Sequence, residues 1–491
     1  MTRALNKRRL LLFFALIVVT GIAVGLLARL TLTEMAVGSL LKMAGASDVK
    51  FSVTQASPWR VVMEDIGFQI KTQLFAAKRV SMERPHWWTS SLGVVRVEEA
   101  RLPITIDGSV MEPQAYKNAA FAQSAPAVPV DEVYIDGQVI VRAAEQPDQA
   151  LAVKLEAQLI AKNTWTGKIQ VDGPGLAVKG EGTYTLASDR LDFKLPSIAL
   201  DLKPWQGFVQ RLIVLPNGTW EIEGKLNGSA EGSLTEKKLV AGGAIRLREG
   251  RVHYETRHIT AEGIEADLEF IDFDQVVTKP GTIRAREVRV GNFPMRDLIA
   301  EVALAGSEKV VVSNLSLQAL GGRASAEPFK YFPRLREIDV VLLVDSISIE
   351  EVMALTQDLP AKATGRVNGR FPVRIDDSGV RLGSGWLELK PGVYAELQLK
   401  TTGLLTNGMA ENGPSYAVLK QVESGLLKLK ISELRLDIRP PNAPPGRSAQ
   451  LRISASPVDP NVKAPVTLDL NVNGPLEKLL NLGLDSRLSF K

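Results

Sequence analysis

Residues able to do covalent or metal chemistry are sparse in this chain. It has three histidines and no cysteine, which removes thiolate nucleophiles, thiolate metal sites and disulfides together. His253 and His258 stand five apart in alternating sequence. On one strand that spacing sends them to opposite faces and forbids a shared local metal site. His86 adjoins Trp87 and Trp88 in RPHWWTSSLG; the indoles suit either packing at the base of a sheet or contact with lipid headgroups. There is no Gly-x-x-x-x-Gly-Lys-Ser/Thr phosphate loop, no Gly-x-Ser-x-Gly elbow and no His-Glu-x-x-His pair. Asp376 and Asp377, in Asp-Asp-Ser-Gly, read as a turn. The glycine-rich VDGPGLAVKGEG (171–182) reads as hairpin chemistry rather than a dinucleotide fingerprint. Catalysis needs polar groups converging on a pocket, and no such set is visible. The chain is therefore expected not to be an enzyme and to carry no cofactor and no metal.

What the sequence does repeat is alternation. In GLLKLKISELRLDIRPP (425–441), Leu427, Leu429 and Ile431 oppose Lys428, Lys430 and Ser432. After a one-residue slip at Ser432–Glu433, Leu434, Leu436 and Ile438 oppose Arg435, Asp437 and Arg439. Such a segment is a strand with one apolar face. The same pattern occurs in KFSVTQA (50–56), RVEEARLPITID (96–107), VYIDGQVIVRA (133–143), TWEIEGKLNG (219–228), VVLLVDSISI (340–349) and VTLDLNVNG (466–474). Leu451 and Ile453, then Val466, Leu468, Leu470 and Val472, continue the apolar face. Asn-Gly pairs at Asn217, Asn227, Asn368, Asn407, Asn412 and Asn473, with Asp-Gly at Asp107, Asp136 and Asp172, read as tight turns between antiparallel strands. The Asn-x-Thr/Ser triplets at Asn217, Asn227 and Asn314 are read as turns before glycosylation acceptors.

Helices are few. Ser348 and Glu351 form a capping box ahead of EEVMALTQDLP, and WQGFVQRLI (205–213), YAVLKQVESG (416–425) and LEKLLNLG (476–483) are short candidates. Residues 111–130 break the alternation and end Ala/Pro-rich, as a loop or insertion does.

Hydrophobic residues make up 45% of the 491 and charged ones 23%, an ordinary globular balance. Net charge is +4, and Arg3, Lys7, Arg8 and Arg9 supply all of it. The rest of the chain is neutral overall, and nothing in it suggests the concentrated basic face that a nucleic-acid binder needs. Residues 10–28, LLLFFALIVVTGIAVGLLA, are uncharged and reach about 28 Å as a helix, the thickness of a bilayer core. The expected order is a cytoplasmic basic tail (1–9), a single-pass anchor (10–28) and a juxtamembrane helix (29–48). The alternative for 10–28 is a cleaved signal peptide with Ala23 and Gly25 as its small-x-small site, against which Leu26 and Leu27 extend the apolar run. Leu32, Met35, Ala36, Leu40 and Met43 recur there at helical spacing. They are expected to plug the first end of the sheet, with a membrane-surface helix as the alternative.

An apolar sheet face that the helices cannot cover has two outcomes. It meets a second face in a closed sandwich or solenoid, or it lines an open groove. Periodicity does not choose between them, though the scarcity of helices favours a sheet curled on itself.

Two stretches, LQALGGRASAEPF (317–329) and ATGRVNGRFPVRIDDSGVRLGSGWLELKPG (363–392), resemble the C-terminal region of YdbH-type proteins, within the wider AsmA-like family of Gram-negative envelope proteins. Residues 416–440 and 451–480 continue the likeness in order, and the anchor, short helix and WTSSLGVVRVEEARLPITID fit the family's opening. The resemblance implies a mainly β fold: an N-terminal transmembrane helix, then a long antiparallel sheet curled into an elongated hydrophobic groove with few short helices. Its parts would be an N-terminal β cap (49–110), the insertion (111–130), a middle groove (131–310) and a C-terminal groove (311–491). It implies an inner-membrane-anchored, single-pass protein, with its N-terminus cytoplasmic and its bulk periplasmic, that conducts phospholipid between the two membranes. Leu427, Leu429, Ile431, Leu434, Leu436, Ile438, Leu451, Ile453, Val466, Leu468, Leu470 and Val472 would then face acyl chains. The alternative is an envelope scaffold or assembly factor with a closed β core. A dicarboxylate-transport role fits poorly, because a small dianion needs a polar pocket. At the C-terminus, Leu484, Leu488 and Phe490 share one face of a last strand, whose unpaired edge could dock a small outer-membrane protein by strand addition.

Overall fold

The computed structural model describes residues 29–472 except 40, 43–45, 71–72, 85–90, 92, 107–129, 144–146, 162, 213–218, 236–237, 292, 334, 336, 355–360, 377–378, 400–415, 440–448, 461 and 463–464. The expected tail and anchor, His86 with Trp87 and Trp88, the 111–130 insertion, the 476–483 helix and Leu484, Leu488 and Phe490 lie outside the described residues. No described helix is long and apolar enough to cross a membrane.

The chain is mainly β. Among the described residues, twenty-seven strands belong to one hydrogen-bonded sheet, and the described registers are antiparallel except for one. Alternation sets the facing, since each strand offers an apolar and a polar side and neighbours pair with like sides aligned, and short connections between consecutive strands set the antiparallel direction. The slip at Ser432–Glu433 falls on a bulge. The register of Lys428–Ile438 against Ala449–Pro457 shifts between Ile431 and Glu433, and the Ser432 hydroxyl donates to Ser454 O at 3.0 Å. The extra residue returns Leu434 and Leu436 to the face of Leu429 and Ile431.

The chain divides into two compact units, Met1–Leu215 with Leu226–Gly243, and Pro216–Lys225 with Ala244–Lys491. The first holds consecutive strands from Ala46–Ala56 to Arg190–Asp201. Its exception to the meander is the parallel pair Val94–Ile106 and Glu132–Ala143. A parallel neighbour requires the chain to return to its starting end before the second strand begins, which is why a long connection separates the two. In the second unit the pairing is mostly sequential, but Glu337–Ser348 pairs with Arg366–Asp376, and Ala361–Thr364 with Glu396–Leu399.

Helices are short. Residues 29–39 are helical, as are Gln206–Leu212, Ile349–Ala354 and Tyr416–Leu426. The Glu351 N–H donates to Ser348 Oγ at 3.3 Å, the expected N-cap.

Three expectations need correction. Asp136-Gly137, Asn227-Gly228 and Asn368-Gly369 are not turns but lie inside the strands Glu132–Ala143, Trp220–Thr235 and Arg366–Asp376. At Gly369 the reason is space: a β-carbon there would sit 2.3 Å from Leu387 Cδ2 and 2.5 Å from Trp386 O. His253 and His258 do not share a strand. His253 ends on Leu239–Tyr254 with Nδ1 3.1 Å from Thr260 Oγ1, while His258 follows a 3-10 turn with φ of 50°. The helix over 29–39 does not plug the sheet with Leu32, Met35 and Ala36. Leu30 and Val37 pack on the first core instead, the same cluster that Phe51, Phe68 and Phe75 pack against.

Candidate lipid-binding face

The strand registers join apolar positions into rows that run across the sheet. In the first unit one row passes Met63, Val80, Val97, Ile135, Leu155, Ile169 and Gly180, each opposite the next in its ladder. A second passes Val153, Val171, Val178 and Ile198. In the second unit Ala266, Ile283, Ala300, Leu315, Ala326, Leu342 and Phe371 form one row. Leu317, Ala324, Val344, Gly369, Leu387, Leu436, Leu451 and Leu470 form another. With neighbouring strands about 4.8 Å apart, each row is a continuous apolar lane perpendicular to the strands.

The opposite face carries charge ladders. Glu156, Lys168, Glu181 and Lys194 stand successively opposite one another, all exposed and alternating in sign. Beside them the Arg96 guanidinium lies 4.5 Å from the centre of the Tyr134 ring. In the second unit Arg435 reaches Glu388 at 3.8 Å and Arg452 reaches Asp469 at 3.6 Å. Opposite charges across a ladder stabilise register modestly and keep this side wet.

How deeply the apolar face is buried varies along the chain. Val97, Ile135, Leu155, Ile169, Val178, Phe193, Leu195 and Ile198 are all half-buried. A closed sandwich at about 10 Å would seal such side chains; here none is sealed. Helices close the face locally. Trp205 and Phe208, at the helix Gln206–Leu212, are buried with Val141 and Leu151, and Trp205 Nε1–H donates to Pro174 O at 2.8 Å. Ile349 and Met353 pack over Ala363, Ala395, Leu397, Leu429, Ile431, Ile453 and Ala455.

The structure brings most of the sequence-derived lining residues into these two arrangements. Leu429, Ile431 and Ile453 are buried in the cluster under Ile349 and Met353, with Leu434, Leu451, Val466 and Leu468 packed against it. Ile438 is buried with Val340, Val373 and Leu382, with Leu436 beside them. Leu427 is half-buried in the turn before the strand. Leu470 and Val472 take ladder positions opposite Leu451 and Ala449. The middle residues Val97, Ile135, Leu155, Ile169, Ile283, Leu315 and Leu342 had not been singled out. Their strands alternate in sequence, but only register shows that they align.

Polar chemistry on this face is slight. Among the described residues no three His, Asp or Glu side chains are grouped to hold a metal ion. The Asp345 carboxyl lies below its usual range, first because Lys390 donates to it at 3.0 Å and then because Ser346 donates at 2.8 Å. That contact belongs to the exposed polar side.

A sheet with one face in apolar lanes and the other in charge ladders defines a mainly β protein. A model of the YdbH-like family, described as intermembrane phospholipid transport protein YdbH, matches residues 146–393, just over half of the chain. The chain belongs to the YdbH-like family. No curated protein and no solved structure matches it. The matched span covers the middle of the chain, where the quoted likeness was thinnest, and includes 317–329 and 363–392. The family is one of lipid transport, not of enzymes, and implies phospholipid as the ligand.

Proposed function

We propose that the chain conducts phospholipid between the inner and outer membranes of a Gram-negative envelope, with acyl chains lying along the apolar lanes. The observation carrying this reading is the half-buried lane through Val97, Ile135, Leu155 and Ile169. Each methylene kept from water is worth about 0.8 kcal/mol, so an acyl chain gains where an aqueous face loses. Because successive rungs are alike, no rung holds the lipid uniquely, and sliding meets no deep trap. Residues 10–28 would anchor the chain in the inner membrane, with 1–9 cytoplasmic and the sheet periplasmic.

The two sheet edges support a direction for assembly. The first edge strand is covered: Val53 N–H donates to Glu34 Oε1 of the 29–39 helix at 2.8 Å. The strand Val466–Val472 pairs along Ala449–Pro457, and among the described residues no register follows on its far side. A sheet edge without a partner strand accepts another, so a small outer-membrane protein would dock here or on the segment bearing Leu484, Leu488 and Phe490.

The closed scaffold is the second reading, favoured by one observation: Ala395 and Ala449 are 0% exposed and Leu429 is 1% exposed. Mass spectrometry of organic extracts from detergent-free protein separates the two. Phospholipid at near-stoichiometric amount, lost in Ile169→Asp, is the transport result; protein that stays folded and carries no lipid would leave the scaffold. Photo-crosslinkers at alternate positions from Val466 to Phe490 test the docking edge, where adducts to one small envelope protein are expected.

A further inference from the structure

The helix over residues 29–39 has two faces separated at helical period. Leu30, Thr33, Glu34, Val37 and Gly38 are half-buried. They hold the helix to the sheet through the first core and through the 2.8 Å hydrogen bond from Val53 N–H to Glu34. Leu32, Met35, Ala36 and Ser39, spaced i, i+3, i+4 and i+7, are exposed, with Leu32 at 62% and Met35 at 70%. Exposed Arg29 and Lys42 flank this strip at its two ends. Two hydroxyls of the helix face its own backbone: Ser39 Oγ donates to Met35 O and Thr33 Oγ1 to Arg29 O, each at 2.7 Å. Bonded back in this way, Ser39 adds little polarity to the strip.

We infer that this strip lies in the headgroup–acyl boundary of the membrane that carries residues 10–28. The nineteen uncharged residues of that run end one residue before Arg29, so the chain leaves an apolar span and enters this helix with no linker. An apolar strip between two cations is the pattern of a helix lying in the interface, with its apolar side about 5–10 Å below the polar boundary. Because the other face is clamped to Ala46–Ala56 and its neighbours, the helix acts as a bracket. It fixes the first edge of the sheet against the bilayer and so sets where lipid first meets the apolar rows. The inference rests on residues 10–28 being a membrane anchor.

The chain has no cysteine, so single nitroxide labels can be attached through Leu32→Cys, Met35→Cys and, on the charged ladder, Lys168→Cys. The full chain is reconstituted in vesicles of phosphatidylethanolamine and phosphatidylglycerol, floated after alkaline carbonate, and each label's collisions with oxygen and with a water-soluble nickel chelate are compared. Flotation with oxygen dominating at positions 32 and 35, and nickel dominating at 168, is the expected result. Flotation with nickel dominating at all three positions overturns the bracket and leaves the anchor standing. Failure to float removes the anchor, and the bracket with it.

Discussion

Leu429 stands opposite Leu397 in an antiparallel pair and keeps 1% of its surface exposed, inside the buried cluster against which Ile349 and Met353 pack. Ile169 stands opposite Leu155 in the same kind of pair, yet both remain half-buried. The same alternation therefore makes a closed core in one place and an open face in another. Leu429→Ala should cost about 2–5 kcal/mol, transfer and cavity together, and Leu429→Asp should not fold. Ile169→Asp should cost about 1 kcal/mol, part of the full burial of an isoleucine, while losing bound lipid. Urea midpoints beside lipid extraction check both; equal destabilisation at the two sites would remove the distinction.

Gly137 and Gly67 offer a matched pair of substitutions. A β-carbon at Gly137 would meet Ala100 O at 2.5 Å across the parallel ladder, whereas nothing lies within 4 Å of one at Gly67. Gly137→Ala should destabilise by about 1–3 kcal/mol. Gly67→Ala should be neutral, or stabilise by up to about 1 kcal/mol through the unfolded chain. Thermal unfolding of the two variants gives the comparison.

Removing the cap of the 349–354 helix should loosen the closed cluster. Ser348→Ala takes away the acceptor of the Glu351 N–H and should cost about 1 kcal/mol, with Ser348→Asp restoring it. Hydrogen exchange at residues 349–354 should quicken in the alanine variant alone.

The Asp345–Lys390 contact should be acid-sensitive. The folded carboxyl lies below its usual 3.8, chiefly through the Lys390 hydrogen bond. A depressed value means the contribution is fully present above the unfolded value and is lost as pH falls through the folded one. The difference in urea midpoint between the native chain and Asp345→Asn should thus exist at neutral pH, vanish in strong acid and shrink with salt, the site being exposed. A difference unchanged in strong acid would assign it to packing.

Much was legible without tertiary structure because alternation is a local property. Residues 50–56, 96–106 and 133–143 lie in strands as read, the slip at Ser432–Glu433 is a bulge, and Ser348 caps its helix through Glu351. Each follows from neighbours a few residues apart: side-chain period, cap chemistry and turn residues. The family likeness was also legible, although the quoted stretches missed the middle of the matched span.

Tertiary structure decided the rest, because it depends on groups far apart in the chain. Asp136-Gly137 reads locally as a turn, but the approach of Ala100 makes that glycine a mid-strand necessity. The 29–39 helix has apolar residues on both sides, and only its docking on the first core, with Glu34 bonded to Val53, selects Leu30 and Val37 over Leu32 and Met35. Register is the largest such decision. Alternation makes Val97, Ile135, Leu155 and Ile169 apolar-faced, but a shift of one residue in any pair would break their row. Whether a row is sealed, as at Leu429, or half-open, as at Ile169, depends on which residues from elsewhere in the chain pack over it, helix residues at Ala363 and Ala395 and strand residues alone at Val340 and Ile438, and a two-residue period carries no record of that.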